Sequence, residues 1–203
     1  MKIGKFPCGF IAANCYVVSH QGYNSCFLVD PGAPNPKLEK YIADEKLIPE
    51  YIILTHGHGD HTGGIDRMKE LFPDIKLIAG KKEAKLLYNR DLSMGQGGIV
   101  ADIEVTDGEE MDLCGFHLKF IETPGHTPGG ICIYIEKEGC LFSGDTLFQF
   151  SIGRTDFPGG DFAQIEDSIV NKLFKLPDDT HVFCGHEGDT TIGNEKRYNP
   201  FVS

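Results

Sequence analysis

Three histidines and an aspartate fall within six residues of this chain, as His56, His58, Asp60 and His61, with glycines between them. Tyr51 to Leu54 just before is an apolar run short enough for a buried strand. Thr62 to Phe72 just after sets Ile65, Met68, Leu71 and Phe72 on one helical face. The segment is therefore a strand-to-helix loop, at the end of a sheet where ligands collect. Imidazole nitrogen and carboxylate oxygen are donors that Zn2+ favours, at about 2.0–2.2 Å. His56 and His58, being alternate residues, can reach one ion from one side of an extended loop. Asp60 and His61, offset from that pair, can aim at a second ion nearby. Gly57 and Gly59 are expected to let the backbone turn sharply between ligands. The blander reading is a solvated loop with casual metal affinity, but 8 histidines in 203 residues rarely cluster this tightly by chance.

Around this loop the chain alternates short strands and helices. Asn14–Ser19 and Cys26–Asp30 read as a hairpin joined through Gln21–Ser25, stopped by Asp30-Pro-Gly32. Pro36–Leu47 fits an amphipathic helix, Lys76–Ala79 a strand and Lys81–Asn89 a helix, the order expected of parallel crossover units. In the second half Phe116, Leu118 and Phe120 alternate with His117 and Lys119 as in a half-buried strand. Ile131–Ile135, Cys140–Ser143 and His181–Cys184 are further strands, and Asp161–Leu176 is a helix. The layout is two mixed α/β halves in one domain, with sheets face to face and helices outside.

Three of these later strands deliver metal-ligand residue types at their ends. His126 follows the strand ending at Glu122, Asp145 follows the one ending at Ser143, and His186 follows Cys184. Each comes just after a glycine. Taken singly, a polar residue in such a turn is usually a cap or turn former. Four strand-end loops together form a pattern that turn chemistry does not explain.

At these residues the sequence resembles the metallo-β-lactamase superfamily, whose motif H-x-H-x-D-H stands here as His56, His58, Asp60 and His61. The later ligands match, in order, as His126, Asp145 and His186. The resemblance spans about residues 10 to 200 and implies an αββα sandwich of two mixed β-sheets with outer helices, in agreement with the two-half layout. It implies that His56, His58 and His126 hold a first metal, that Asp60, His61 and His186 hold a second, and that Asp145 bridges them. Two Zn2+ per chain are expected, with iron or manganese as alternatives at either site. Two such ions about 3.5–4 Å apart can share a hydroxide and polarise a carbonyl together. Asp60 would orient that nucleophile and take its proton.

Within the superfamily the sequence is most similar to the small glyoxalase II-like hydrolases, through Ser151–Asp161 and Thr190–Phe201. That likeness implies hydrolysis of a small acyl thioester of the S-lactoylglutathione type. Arg154 would bind a substrate carboxylate, as a lysine near this position does in glyoxalase II; a structural ion pair with Asp156 or Asp161 is the competing reading. Two features depart from the glutathione enzymes: Asp156 stands where they use a tyrosine, and, with the sequence stopping near Ser203, their additional helical domain is expected to be lacking. A mononuclear iron persulfide dioxygenase shares the ligand set and the Gly153–Phe157 stretch, and a lactonase could use the same site.

Composition narrows the partners. A formal charge of −11 does not suit a nucleic-acid or anionic-membrane binder. The seven cysteines, odd in number and set mostly in apolar runs, read as buried reduced thiols. With no apolar leader in the first ten residues, the expected setting is the cytoplasm. The expected partner is a small-molecule substrate, bound by a monomer or homodimer. Phe148, Phe150 and Phe157, around Arg154, are candidates to line an apolar pocket.

Overall fold

The computed structural model describes residues 1–202 and arranges them in four layers. The first sheet has the order β1-β2-β3-β4-β5-β6, formed by β1 (Lys2–Cys8), β2 (Ala13–Ser19), β3 (Ser25–Val29), β4 (Ile48–Ile53), β5 (Lys76–Gly80) and β6 (Ile103–Val105). Its first three strands are antiparallel, as hairpins allow. From β3 to β6 the pairings are parallel, because the connections carry helices that must cross back over the sheet. These helices are α1 (Pro36–Asp44), α2 (Gly59–Thr62), α3 (Ile65–Leu71), α4 (Ala84–Tyr88) and α5 (Arg90–Ser93).

The second sheet runs β14-β13-β10-β9-β8-β7. Its strands are β7 (Glu110–Leu113), β8 (Phe116–Glu122), β9 (Ile131–Ile135), β10 (Cys140–Gly144), β13 (His181–Cys184) and β14 (Thr190–Thr191). A small hairpin of β11 (Leu147–Phe148) and β12 (Ser151–Ile152) stands beside it. Helices α6 (Phe162–Asn171) and α7 (Ile192–Tyr198) complete the elements.

Strand alternation explains the layering. In β2, Tyr16 and Val18 point inward and join Phe27, Val29, Ile53 and Ile78 against Leu118, Phe120, Ile133 and Phe142 of the opposite sheet. Cys15 and Val17 point outward, under Leu38, Ile42, Ile65 and Met68 of the covering helices. The outer face of the second sheet is covered in the same way by Ile165 and Ile169 of α6 and by Ile192. Every residue of β2 is buried because both faces are roofed. The fold is thus the αββα sandwich of two mixed sheets. All seven cysteines are free and buried, several in these outer cores.

Several boundaries differ from the sequence expectation. The helix expected from Thr62 is two pieces, α2 and α3, broken at Gly63-Gly64, and α1 ends at Asp44 rather than Leu47. The helix expected over 161–176 is α6 followed by a 3-10 turn at Leu173–Lys175. Strand β1 gave no apolar run to read, because an edge strand with one face half exposed can carry Lys2, Lys5 and Pro7. Among the described residues no helix is long and apolar enough to cross a membrane.

Strand direction decides where the site lies. Strands β8, β10 and β13 run the same way, so their C-terminal ends share one edge of the second sheet. That edge is tied to the end of β4 by Ile131 N donating to Thr55 O at 2.8 Å. It is tied to β2 by Asn14 N donating to Gly185 O at 2.7 Å.

Candidate metal centre

All seven sequence-identified ligand candidates converge at this shared edge. His56 and His58 lie in the loop after β4, and Asp60 and His61 in the single turn of α2. His126 lies between β8 and β9, Asp145 follows β10, and His186 follows β13. Nitrogens of His56, His58 and His126 lie within 4.8 Å of one another, and so do donor atoms of Asp60, His61 and His186. Asp145 stands between the groups: its Oδ2 is 3.6 Å from His126 Nε2 and 3.5 Å from His186 Nε2, and its Oδ1 is 3.3 Å from His61 Nε2.

Proton accounting shows which atoms are left for a ligand. Thr55 N and Thr55 Oγ1 both donate to Asp30, at 2.8 and 2.6 Å. With its proton so used, Thr55 Oγ1 accepts from His56 Nδ1 at 3.1 Å, which leaves His56 Nε2 as a bare lone pair. His61 Nδ1 donates to Asp30 Oδ2 at 2.9 Å, and His126 Nδ1 to the carbonyl of Arg154 at 2.8 Å. Three histidines are therefore held from behind, with Nε2 turned toward the centre. Among the described residues His56 Nε2 and Asp145 Oδ1 are buried with no hydrogen-bond partner. Buried lone pairs in this state are costly unless something positive lies among them. The donor set of imidazoles and carboxylates, open inward and braced outward, fits divalent metal ions.

The electrostatics agree. Burial pushes His56 well below the ordinary imidazole range and His58 down to about 4, and it also lowers His126. These three are neutral, the state that metal ligation requires. Burial also opposes charge on His61 and His186. It is outweighed by Asp145 and Asp30 at His61, and by Asp145 and Asp60 at His186, which rises to about 9. Asp60 and Asp145 are held far below the usual carboxylate range despite burial, by neighbouring histidines.

The glycines act differently from the expected sharp turns. Neither Gly57 nor Gly59 has a positive φ. A Cβ on Gly57 would strike Leu86 and Leu87, and one on Gly59 would strike the backbone of Gly95. Close packing of the loop, not its curvature, excludes side chains there. Gly185 has a similar role, since a Cβ would collide with Asp145 Oδ1.

Two bracing residues escaped the sequence reading. In sequence Asp30 is only a strand stop, yet it is buried and orients both Thr55 and His61. A carboxylate ending a strand, as at Asp145, was the available signal. Its φ of 50° is one that an Asp tolerates better than most residues. Glu83 is also buried and accepts from Gly57 N at 2.9 Å and Gly129 N at 2.8 Å, joining the loops of His56, His58 and His126. Nothing local in the sequence marks it.

A pocket of about 620 Å3 opens over this centre. His58, Asp60, His126, Asp145 and His186 reach its floor, and Ile11, Met94, Phe148, Ile152 and Phe157 form much of its wall. Phe148 and Phe157 thus line it as expected, whereas Phe150 packs against Tyr198 instead. Arg154 also borders the pocket, with its guanidinium paired to Asp156. Another cleft, of about 520 Å3, lies against Tyr134, Lys172 and Leu176 and contains none of the clustered ligands. His117 is exposed and bonded to Asp112 and Glu110, outside the centre.

Comparison with known proteins points the same way. Residues 8–186 match the sequence profile of the metallo-beta-lactamase superfamily. Over its full length the chain is 37% identical to the probable metallo-hydrolase YqgX of Bacillus subtilis, covering 98% of that protein. It is 34% identical to the hydroxyacylglutathione hydrolase GloC of Haemophilus influenzae, covering 99% of it. Among solved structures, BLEG-1 B3 metallo-beta-lactamase is 36% identical with a TM-score of 0.93, each chain fully covered. TTHA1623 in a di-iron-bound form is 32% identical with a TM-score of 0.87, over 98% of this chain and 100% of that one. ETHE1 from Myxococcus xanthus is 26% identical with a TM-score of 0.85, over 98% and 84%. The layered fold, the converging ligand types and these likenesses agree: the chain belongs to the metallo-beta-lactamase superfamily, as a metal-dependent enzyme of hydrolase type.

Proposed function

We propose that this protein is a thioesterase that hydrolyses a small acyl thioester. The observation that carries the reading is the position of two ligand groups, joined through Asp145, on the floor of a pocket with apolar walls. In this reading His56, His58 and His126 would hold one divalent ion and Asp60, His61 and His186 a second, with Asp145, which stands between the two groups, available to both. The nitrogen-rich donor set suits zinc, with iron or manganese as alternatives. Such ions, when bound, lower the pKa of water toward about 7 and polarise a carbonyl.

The chain's own contribution is placement. Among the described residues no cysteine borders the pocket, which rules out a protein thiolate there, and in this reading the attacking group is water. Asp60 keeps about a quarter of its side chain exposed to the pocket, with Oδ2 3.2 Å from His186 Nε2. With Oδ2 turned toward His61 and His186, Oδ1 is the oxygen that would accept a hydrogen bond from the water, orient it and take its proton. The apolar wall takes the acyl or thiol chain and keeps bulk water from the reacting carbon. The full-length likeness to the Haemophilus protein named as a hydroxyacylglutathione hydrolase supports a thioester over other acyl groups. The buried thiols suit a reducing, cytoplasmic setting.

The test is metal content by elemental analysis of protein purified without added metal, followed by S-lactoylglutathione hydrolysis on the same sample. About two zinc ions per chain with hydrolysis support the reading. Metal with hydrolysis of a β-lactam or lactone only would move the protein to another hydrolase class. A single iron with oxygen uptake on glutathione persulfide would replace it with the dioxygenase, which the Gly153–Phe157 stretch also favours. Asp60→Ala is expected to abolish turnover or lose metal; near-normal kcat at full metal content would remove Asp60 from its role.

A further inference from the structure

Among the described residues that line the pocket, Arg154 is the one lysine or arginine. Its guanidinium is already engaged. Nε donates to Asp156 Oδ1 at 2.7 Å and Nη2 to Asp156 Oδ2 at 2.6 Å, a two-point pair. The guanidinium carbon lies 3.7 Å from the centre of the Phe157 ring, which covers one face and fixes the plane. The other residues of the upper wall are apolar, apart from Ser151 and the carboxylate of Glu187.

We propose that Asp156 is a specificity-determining residue: by holding the Arg154 fork it leaves the pocket mouth without a free cation and selects thioesters whose carrier end is uncharged or apolar. This rests on the thioesterase reading above and names its substrate class. The argument is one of exchange. A substrate carboxylate reaching Arg154 side-on must displace another carboxylate, so it trades one charge-assisted pair for an equivalent one and gains little. The resident carboxylate is only two residues away in the chain, and its effective concentration is far above that of a free ligand. Arg154 holds the Asp156 carboxyl down to about 2, so the competitor remains ionised throughout the working pH range. An apolar carrier, by contrast, meets Ile11, Met94, Phe148 and Ile152.

The experiment measures binding, independent of turnover. Dissociation constants of S-hexylglutathione and of its dimethyl ester are determined by calorimetry on the metal-loaded wild type, Asp156→Asn, Asp156→Ala and the double variant with Arg154→Gln. In the wild type the ester is expected to bind at least as tightly as the free acid. Either single variant should tighten the acid roughly three- to fivefold, as expected for freeing one exposed ion pair, and leave the ester within about twofold. The double variant should lose that gain. Three results would overturn the proposal: a wild type that binds the acid about tenfold or more tighter than the ester, single variants that shift acid and ester together, or no binding of either ligand. Hydrolysis is assayed separately. The acid–ester pattern without any thioester turnover would sink the thioesterase reading alone, and turnover without the pattern would sink this proposal alone.

Discussion

Asp30→Asn bears most directly on the bracing of the second ligand group, because it keeps shape and removes one acceptor beside His61. The buried carboxylate accepts three hydrogen bonds: Thr55 N at Oδ1, and both Thr55 Oγ1 and His61 Nδ1 at Oδ2. An asparagine also tolerates the backbone φ of 50°, so the turn itself is not strained. Its amide has one oxygen to offer. Thr55 N is a backbone donor that cannot change, so the oxygen goes there and the NH2 faces Thr55 Oγ1 and His61 Nδ1. Thr55 can rotate its hydroxyl. His61 can avoid a donor–donor clash only by moving its proton to Nε2, the nitrogen 3.3 Å from Asp145 and 3.4 Å from Asp60. That tautomer has no lone pair for a metal. Loss of such an outer hydrogen bond typically costs about 10–100-fold in metal affinity, or about 1.4–2.7 kcal/mol. Chelator competition should therefore find the metal equivalent that depends on His61 weakened by that factor and the other, reached from Asp30 only through Thr55 and His56, weakened less. The protein without metal should melt only a few degrees lower, as expected for a loss of about 1 kcal/mol in a chain of this size. Unchanged affinity for both equivalents would refute the tautomer argument.

Other perturbations test other parts of the centre. Glu83→Gln leaves one of Gly57 N and Gly129 N facing an amide NH2; a loss of about 1–3 kcal/mol and weaker binding at the His56, His58 and His126 group are expected, read by thermal melting and metal titration. Gly185→Ala should move Asp145 by displacing its Oδ1, lowering metal occupancy more than secondary-structure content, which elemental analysis and circular dichroism would separate. His117, bonded to Asp112 and Glu110, titrates above its ordinary value. The sign follows from proton binding: the pair stabilises fully below the unfolded value of about 6.5 and loses its contribution as pH rises through the folded one. An NMR titration should show this elevation, and Asp112→Asn should reduce it.

The chain order of residues determined the inventory of candidate ligands and the layers. His56, His58, Asp60, His61, His126, Asp145 and His186 were legible as candidates because each is a metal-ligand residue type in the segment that follows an apolar strand, and strand ends in such folds gather at ligand sites. The αββα arrangement was legible because parallel crossovers demand covering helices and the apolar runs are continuous enough for two buried faces. Edge strands such as β1 were not, since half-exposed positions accept lysine and proline. Helix breaks such as Gly63-Gly64 also lie below what periodicity resolves.

Bracing and charge pairing were decided only by the tertiary structure. Asp30 and Asp156 have equally plain local sequences, one beside Pro31 and Gly32, the other beside Thr155 and Phe157. One is buried with three donors and fixes a tautomer; the other is exposed and occupies the pocket's arginine. Glu83 joins loops whose partners lie 26 and 46 residues away in sequence. A sequence states which groups can donate or accept. Which partner each one meets depends on contacts between distant segments, and local spacing carries no record of them.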